Sequence, residues 1–219
     1  MIRPADIKVA PYRTRKNSAA AQRILDIFAS ILLLIFFAPL MLVVAVVLYV
    51  SDPGPLFFGQ HRLGRRGESF RCWKFRSMVV DAEARLAEVL RNDPQARAEW
   101  AVAQKLRDDP RITSIGRFLR RSSLDELPQL FNVLKGEMSL VGPRPIIHAE
   151  IERYGRYFVE YCHVRPGITG LWQISGRNDT TYRRRVALDV AYARTKSLRL
   201  DLAILFLTVP RVLLARGSY

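Results

Sequence analysis

The chain has 219 residues, enough for one compact domain with its own core or for such a domain joined to a membrane anchor. Its 35 Lys and Arg against 20 Asp and Glu give a formal charge of +15, which favours a polyanionic partner (nucleic acid, anionic lipid head groups or a phosphorylated substrate) without choosing among them. The two cysteines, Cys72 and Cys162, form at most one pair and lack metal-site spacing, so neither a disulfide framework nor a zinc site is indicated and reduced cytoplasmic thiols are expected.

A basic segment, residues 1–21, precedes the first element. From Ile27 to Val50 there is no charged residue, and the run is long enough to cross about 30 Å of hydrocarbon as a helix. It is too long, and starts too late, for a signal peptide. Lys and Arg mark the cytoplasmic end of a span, and here both ends are basic. Arg13, Arg15, Lys16 and Arg23 lie before the run; Arg62, Arg65, Arg66, Arg71, Lys74 and Arg76 lie after it. A simple crossing exposes one cluster outside, whereas a helix that enters, bends and returns keeps both inside. Pro39 removes a backbone donor and clashes with the preceding turn, so it supplies the bend. Residues 22–51 are therefore read as a re-entrant membrane helix kinked at Pro39, with an ordinary kinked span as the alternative.

Asp52-Pro53-Gly54-Pro55 ends that helix, and residues 56–78 read as two short strands joined around Leu63 to Gly67. Gly64-Arg65-Arg66-Gly67 matches the GxxG of an RNA-binding KH loop, but that loop joins helices, so the match is taken as chance. Asp81 to Arg107 reads as one or two amphipathic helices with a solvated face, interrupted at Asp93-Pro94. Arg117 to Lys135 reads as a further helix. Gly142-Pro143-Arg144-Pro145 and Arg165 to Asn178 read as loops. The tail from Leu198 to Ala215 is apolar but interrupted by Arg199, Asp201, Pro210 and Arg211, which suits an interfacial helix. Residues 52–219 thus form one domain.

The strongest local signal is Ser122-Ser123-Leu124-Asp125-Glu126-Leu127-Pro128. On one reading a serine caps a helix and the two acids only satisfy backbone N–H groups and the helix dipole. On the other, adjacent carboxylates beside Arg117, Arg120 and Arg121 make a site for a hard cation and a phosphate together. Cationic neighbours would then keep Asp125 ionised, as a nucleophile requires.

The stretch Ser-Leu-Asp-Glu-Leu-Pro-Gln-Leu-Phe-Asn-Val-Leu (123–134), followed by Gly-Glu-Met-Ser-Leu-Val-Gly-Pro-Arg-Pro (136–145), resembles the signature of the bacterial sugar transferases, the monotopic phosphoglycosyl transferases that initiate surface polysaccharides. The resemblance extends to Lys74-Phe75-Arg76-Ser77-Met78, to Asp108-Asp109-Pro110-Arg111-Ile112-Thr113, and to residues 165–178, and covers the chain from about Gln22 onward. Two positions depart: Gln22 stands where the family has lysine, and Ala38 precedes Pro39 where serine is common.

The resemblance implies an α/β membrane-associated fold with a re-entrant helix, a small hairpin or sheet element and amphipathic interfacial helices around one catalytic domain. It implies transfer of a hexose 1-phosphate, galactose or glucose favoured, from a UDP-sugar to undecaprenyl phosphate at the cytoplasmic face of the bacterial inner membrane. Asp125 would be the nucleophile, with Glu126 helping to hold Mg²⁺ (or Mn²⁺). Arg120 would clamp phosphate, Arg144, rigidly placed between Pro143 and Pro145, would meet the nucleotide, and Lys74 and Arg76 would add phosphate contacts. Arg23, Asp26 and Pro39 look structural, the first two as an ion pair fixing the helix where it enters the membrane. A nucleic-acid partner, suggested by Phe70, Trp73 and Phe75 among basic residues, leaves the paired acids without a task and is not expected, nor does a non-catalytic scaffold give them one. The oligomeric state is left open, a homodimer included.

Overall fold

Residues 16–103, 106, 108–176 and 181–213 are described by a computed structural model, so Arg13, Arg15, Arg107, Arg177, Asn178 and most of the basic segment 1–21 lie outside the described residues. Helix α1, Lys16–Ser51, runs for 36 residues with Pro39 inside it. It starts before residue 22 and ends at the expected residue. Its most apolar window has a mean hydropathy of 3.2 and is only 11% buried. A helix that is apolar all round and uncovered by protein belongs in lipid, so the chain is membrane-associated.

Strands β1, Phe57–Leu63, and β2, Ser69–Phe75, form the expected antiparallel hairpin, with Phe57 opposite Phe75 and Leu63 opposite Ser69. Arg66 and Gly67, at φ 61° and 75°, turn the chain between them. The GxxG tetrapeptide therefore joins strands. Helices α2, Ala82–Asn92, and α3, Pro94–Ala103, divide at Asp93, whose Oδ1 accepts from the backbone N–H of Gln95 (2.8 Å) and Ala96 (3.1 Å). No residue of α2 is buried, as a solvated face requires.

The helix expected over Arg117 to Lys135 is in fact broken. Helix α4, Ser114–Ser122, ends at Ser123 in the left-handed region (φ 59°), a 3₁₀ turn covers Leu124–Glu126, and helix α5 runs from Gln129–Lys135. Pro128 has no N–H to continue the ladder, which helps separate the turn from α5. Gly116 lets α4 lie on the strand end, since a Cβ there would overlap the Ser77 carbonyl.

Residues 165–178 are not merely a loop. Strand β3, Ser139–Val141, pairs in parallel with β4, Gly167–Thr169, and helix α8 follows at Leu171–Ile174. A Cβ at Gly167 would fall on the Gly142 backbone, so the close pairing needs glycine there. Helices α6, Ile151–Tyr154, α7, Phe158–Cys162, α9, Tyr182–Thr195, and α10, Leu198–Leu213, complete the domain. Along α10, Asp201 and Ile204 are buried while Leu202, Phe206, Leu207 and Val209 present apolar surface outward.

Three side-chain networks fix these elements. Arg23 does not pair with Asp26 as expected; its guanidinium donates to the carbonyls of Val133 (2.6 Å) and Leu134 (2.8 Å), capping α5. Asp26 accepts from the Leu140 N–H (2.9 Å) and the Ser139 hydroxyl (3.0 Å), tying α1 to β3. Gln22, neutral where the family has a cation, donates to Asp201 (2.7 Å) and so ties α1 to α10. Cys72 and Cys162 are free and buried, and burial pushes their thiols up to about 11 and about 12.

In the buried cluster that Tyr161 forms with Leu63, Ile146, Tyr154 and Phe158, Tyr161 Oη donates to the Leu63 carbonyl (2.6 Å) and accepts from the Ile146 N–H (3.3 Å). Tyr161→Phe leaves both partners buried and short of a bond, and is expected to cost about 1–3 kcal/mol. A lowered unfolding midpoint in detergent, with no change in donor KM, is the expected measurement; an unchanged midpoint would mean that water replaces the hydroxyl.

Candidate active site

The break at Ser123 is what builds the site. It directs the 3₁₀ turn inward, so that Asp125 is buried and Glu126 half-buried, both facing Lys74 on β2. Lys74 Nζ donates to Glu126 Oε1 at 2.7 Å and to Asp125 Oδ2 at 3.3 Å. The capping reading is not what forms. Ser122 Oγ donates back to the carbonyls of Phe118 (2.8 Å) and Leu119 (3.2 Å), and Ser123 makes no side-chain cap bond.

The electrostatics depart from expectation in sign. Burial pushes the Asp125 carboxyl up and Glu126 adds to this, while Lys74 and Arg120 pull it down; the net direction is upward. Cationic neighbours alone would have given the reverse. For Lys74, burial favours the neutral amine, but Glu126 and Asp125 outweigh it and hold the ammonium charged. The site is thus two adjacent carboxylates bridged by one cation, Lys74.

Of the three arginines on α4, Arg120 bears on Asp125, and its Nε donates to Ser77 Oγ at 2.9 Å. Arg117 is exposed, 3.8 Å from Asp108. Arg144 lies between buried Pro143 and Pro145, near enough to Lys74 to weaken its hold on a proton, with its guanidinium carbon 6.0 Å from the Trp172 ring centre. Arg76 is placed elsewhere: its guanidinium is buried at the end of α1, donating to the Asp52 carbonyl and lying 3.5 Å from the Asp52 carboxylate. Glu150, Arg185 and Asp189, not singled out in the sequence, and Arg62, read there only as part of a basic flank, form the wall behind Arg144. The spacing of Arg185 and Asp189, four apart on α9, was the one available signal.

The sequence profile described as "Bacterial sugar transferase" matches residues 17–215. The chain belongs to this family. Exopolysaccharide production protein ExoY of Rhizobium meliloti (strain 1021) is 49% identical over 205 residues, covering 94% of this chain and 91% of the relative. Undecaprenyl-phosphate galactose phosphotransferase of Salmonella typhimurium is 51% identical over 94% of this chain, which corresponds to 43% of that longer protein. Undecaprenyl-phosphate glucose phosphotransferase of Komagataeibacter xylinus is 42% identical over 90% of this chain and 37% of its own length.

As a bacterial sugar transferase the chain is an enzyme, and a divalent ion can be tested against its residues. Among the described residues no three His, Cys, Asp or Glu side chains gather into a metal site. Asp125 and Glu126 nonetheless fit Mg²⁺, which is commonly held by one or two carboxylates with phosphate oxygens and water completing the shell.

Proposed function

We propose that this bacterial sugar transferase moves a hexose 1-phosphate, galactose or glucose, from a UDP-sugar to undecaprenyl phosphate at the cytoplasmic face of the bacterial inner membrane. The products are undecaprenyl-diphosphate sugar and UMP, for exopolysaccharide synthesis. The observation that carries the reading is the buried Asp125 carboxylate held by Lys74 beside Glu126 and Arg120, in a chain whose relatives bear undecaprenyl-phosphate galactose and glucose phosphotransferase names.

In the first step an Asp125 oxygen attacks the sugar-bearing phosphorus. One P–O bond forms and the bond to UMP breaks, UMP leaving with the electron pair. Asp125 loses its negative charge in becoming the acyl phosphate, so Lys74 keeps Glu126 as partner and gains the phosphoryl oxygens. In the second step an oxygen of undecaprenyl phosphate attacks the same phosphorus and the Asp125 carboxylate leaves. The attacking phosphate is already anionic, so no general base is needed. Arg120 neutralises charge as it spreads over the transferring group, and Arg144 meets the nucleotide part of the donor. When bound, Mg²⁺ supplies further neutralisation of the diphosphate, with Asp125 and Glu126 as its protein ligands. The test is UMP release by purified enzyme from a panel of UDP-sugars with undecaprenyl phosphate. Release is expected with UDP-galactose or UDP-glucose, to vanish in EDTA and return with Mg²⁺ or Mn²⁺. Full turnover after exhaustive chelation would leave the arginines and Lys74 as the sole neutralising groups.

We also propose that α1 is re-entrant. Its contacts support this. Gln22, Asp26 and Ser30 are buried near one end, Val44 and Leu48 near the other, while most of residues 31–40 between them is exposed. Arg23 caps the C-terminal end of α5, whereas Leu127, just before α5, packs on the cluster of Val44, Leu48, Phe75 and Leu119. A straight helix would separate Arg23 from Val44 by about 30 Å, against about 9 Å between Val133 and Leu127. One domain gripping both ends while the middle protrudes suits a helix that dips into the bilayer at Pro39 and returns. With Cys72 and Cys162 replaced, cysteines at positions 16 and 65 should both resist an impermeant label applied outside spheroplasts. External labelling of one of them alone would mean a crossing.

A further inference from the structure

We infer that Trp172, Arg185 and Glu150 are positioning residues that hold Arg144 for the nucleotide sugar, through a closed ring of contacts that reaches the arginine by its side chain and its backbone together. The inference rests on the reading that Arg144 meets the UDP-sugar.

The ring can be followed from Arg144 outward. Its guanidinium lies toward the ring of Trp172, a side chain 6% exposed, and Arg185 sits over the same ring with its guanidinium carbon 4.9 Å from the centre. Arg185 also lies over Tyr182, at 5.1 Å. Cations over aromatic faces are attracted by the ring quadrupole, more so when water is excluded. Arg185 Nη1 is 3.6 Å from Glu150 Oε1, and Glu150 Oε2 is 3.7 Å from Arg62 Nη1. Arg62 Nη1 then donates to the Pro145 carbonyl at 3.0 Å, and Pro145 is the residue after Arg144. Glu150 is itself fixed, accepting from the Ile147 N–H (2.9 Å) and the Tyr182 hydroxyl (3.1 Å).

Each part has a task that local folding alone does not explain. Three arginines share this wall, and burial first, then Arg144 and Arg185, make it harder for Arg62 to keep its proton. Glu150 and Asp189 offset part of that repulsion, Asp189 lying 3.9 Å from Arg185 Nε. Arg144 is the member of this wall whose charge reaches Lys74, and an anionic diphosphate between the two would relieve the repulsion. Pro143 and Pro145 restrict the backbone on either side, and Trp172 restricts the side chain, so little freedom is lost when Arg144 meets its ligand.

The experiment is a double-mutant cycle on the full-length enzyme in detergent, with KM and kcat measured for both substrates. Trp172→Leu and Arg144→Gln are each expected to raise the UDP-sugar KM about 10-fold with the undecaprenyl phosphate KM unchanged. The double variant should be no worse than Arg144→Gln, and Trp172→Phe should recover most of the loss. Glu150→Gln, carried through the same cycle, decides the question where Trp172→Leu does not fold. Overturning results are a Trp172 or Glu150 effect that persists in full on the Arg144→Gln background, or one that raises both KM values equally. Wild-type enzyme releasing UMP from no UDP-sugar would instead overturn the proposed function, and the role of Arg144 with it.

Discussion

Asp125→Asn is expected to lower transfer by about 10⁴-fold or more while leaving UDP-sugar binding largely intact. Asparagine keeps the shape and can still accept from Lys74 through its amide oxygen, but it has no anionic oxygen to bond phosphorus. The cluster survives the change, because Lys74 Nζ remains 2.7 Å from Glu126 Oε1 and keeps a full charge partner. The loss would therefore be chemical and not a collapse of the turn. Glu126→Gln should retain more activity and demand more Mg²⁺. The direct measurement is to incubate wild-type enzyme with UDP-sugar and no lipid acceptor, quench, digest, and weigh the peptides. A hexose phosphate adduct is expected on the peptide that holds Asp125, and its absence from Asp125→Asn. An adduct on Glu126 would exchange the two roles. No adduct anywhere, with UMP release strictly dependent on lipid phosphate, would mean direct displacement.

What could be read from the sequence divides by range. The long helix, the hairpin and the α2–α3 pair are local, each announced by an apolar run, by strand-like segments flanking Gly64 to Gly67, or by Asp93-Pro94. The break at Ser123 is not legible, because a left-handed serine is set by what the turn must bring together, here Asp125 and Lys74, 51 positions apart in the chain. Strands β3 and β4 have three residues each, too few for periodicity, and pair across 28 positions. Asp125, Glu126, Lys74, Arg120 and Arg144 can be picked out as candidates from the sequence, yet the direction of the Asp125 shift cannot, since burial is a property of the folded whole. Arg76 stands in the same motif as Lys74, and strand alternation would put the two on one face, but β2 ends at Phe75, so Arg76 leaves that face and reaches Asp52 instead. Arg62, Glu150 and Arg185 meet only because three separate elements converge behind Arg144.

Lys74→Met tests how the nucleophile is kept competent. Burial already pushes the Asp125 carboxyl upward, and Lys74 is the strongest charge opposing it. Removing the ammonium leaves two adjacent carboxylates with Arg120 as the remaining cation that bears on Asp125, and like charges this close tend to share one proton. Asp125 is the more buried of the pair, so it takes the proton. A protonated carboxyl cannot attack phosphorus. Formation of the adduct at neutral pH is expected to fall about 10²- to 10³-fold. The pH dependence carries the sign. The ionised form is the active one and a raised pKa delays ionisation, so wild-type adduct formation climbs with pH along its acid limb. In Lys74→Met that limb moves to higher pH, and the gap between the two proteins narrows as pH rises. Lys74→Arg, which keeps the charge, should leave the limb near its wild-type position. Stability falls as well, by about 3 kcal/mol or somewhat less, because a partner is taken from a mostly buried charge while Lys74 itself is partly open to solvent. Single-turnover UMP release against pH, without lipid acceptor, separates the accounts. Profiles that run parallel, with the same loss at every pH, would mean that Lys74 only contacts the substrate phosphates and leaves the ionisation of Asp125 to its other neighbours.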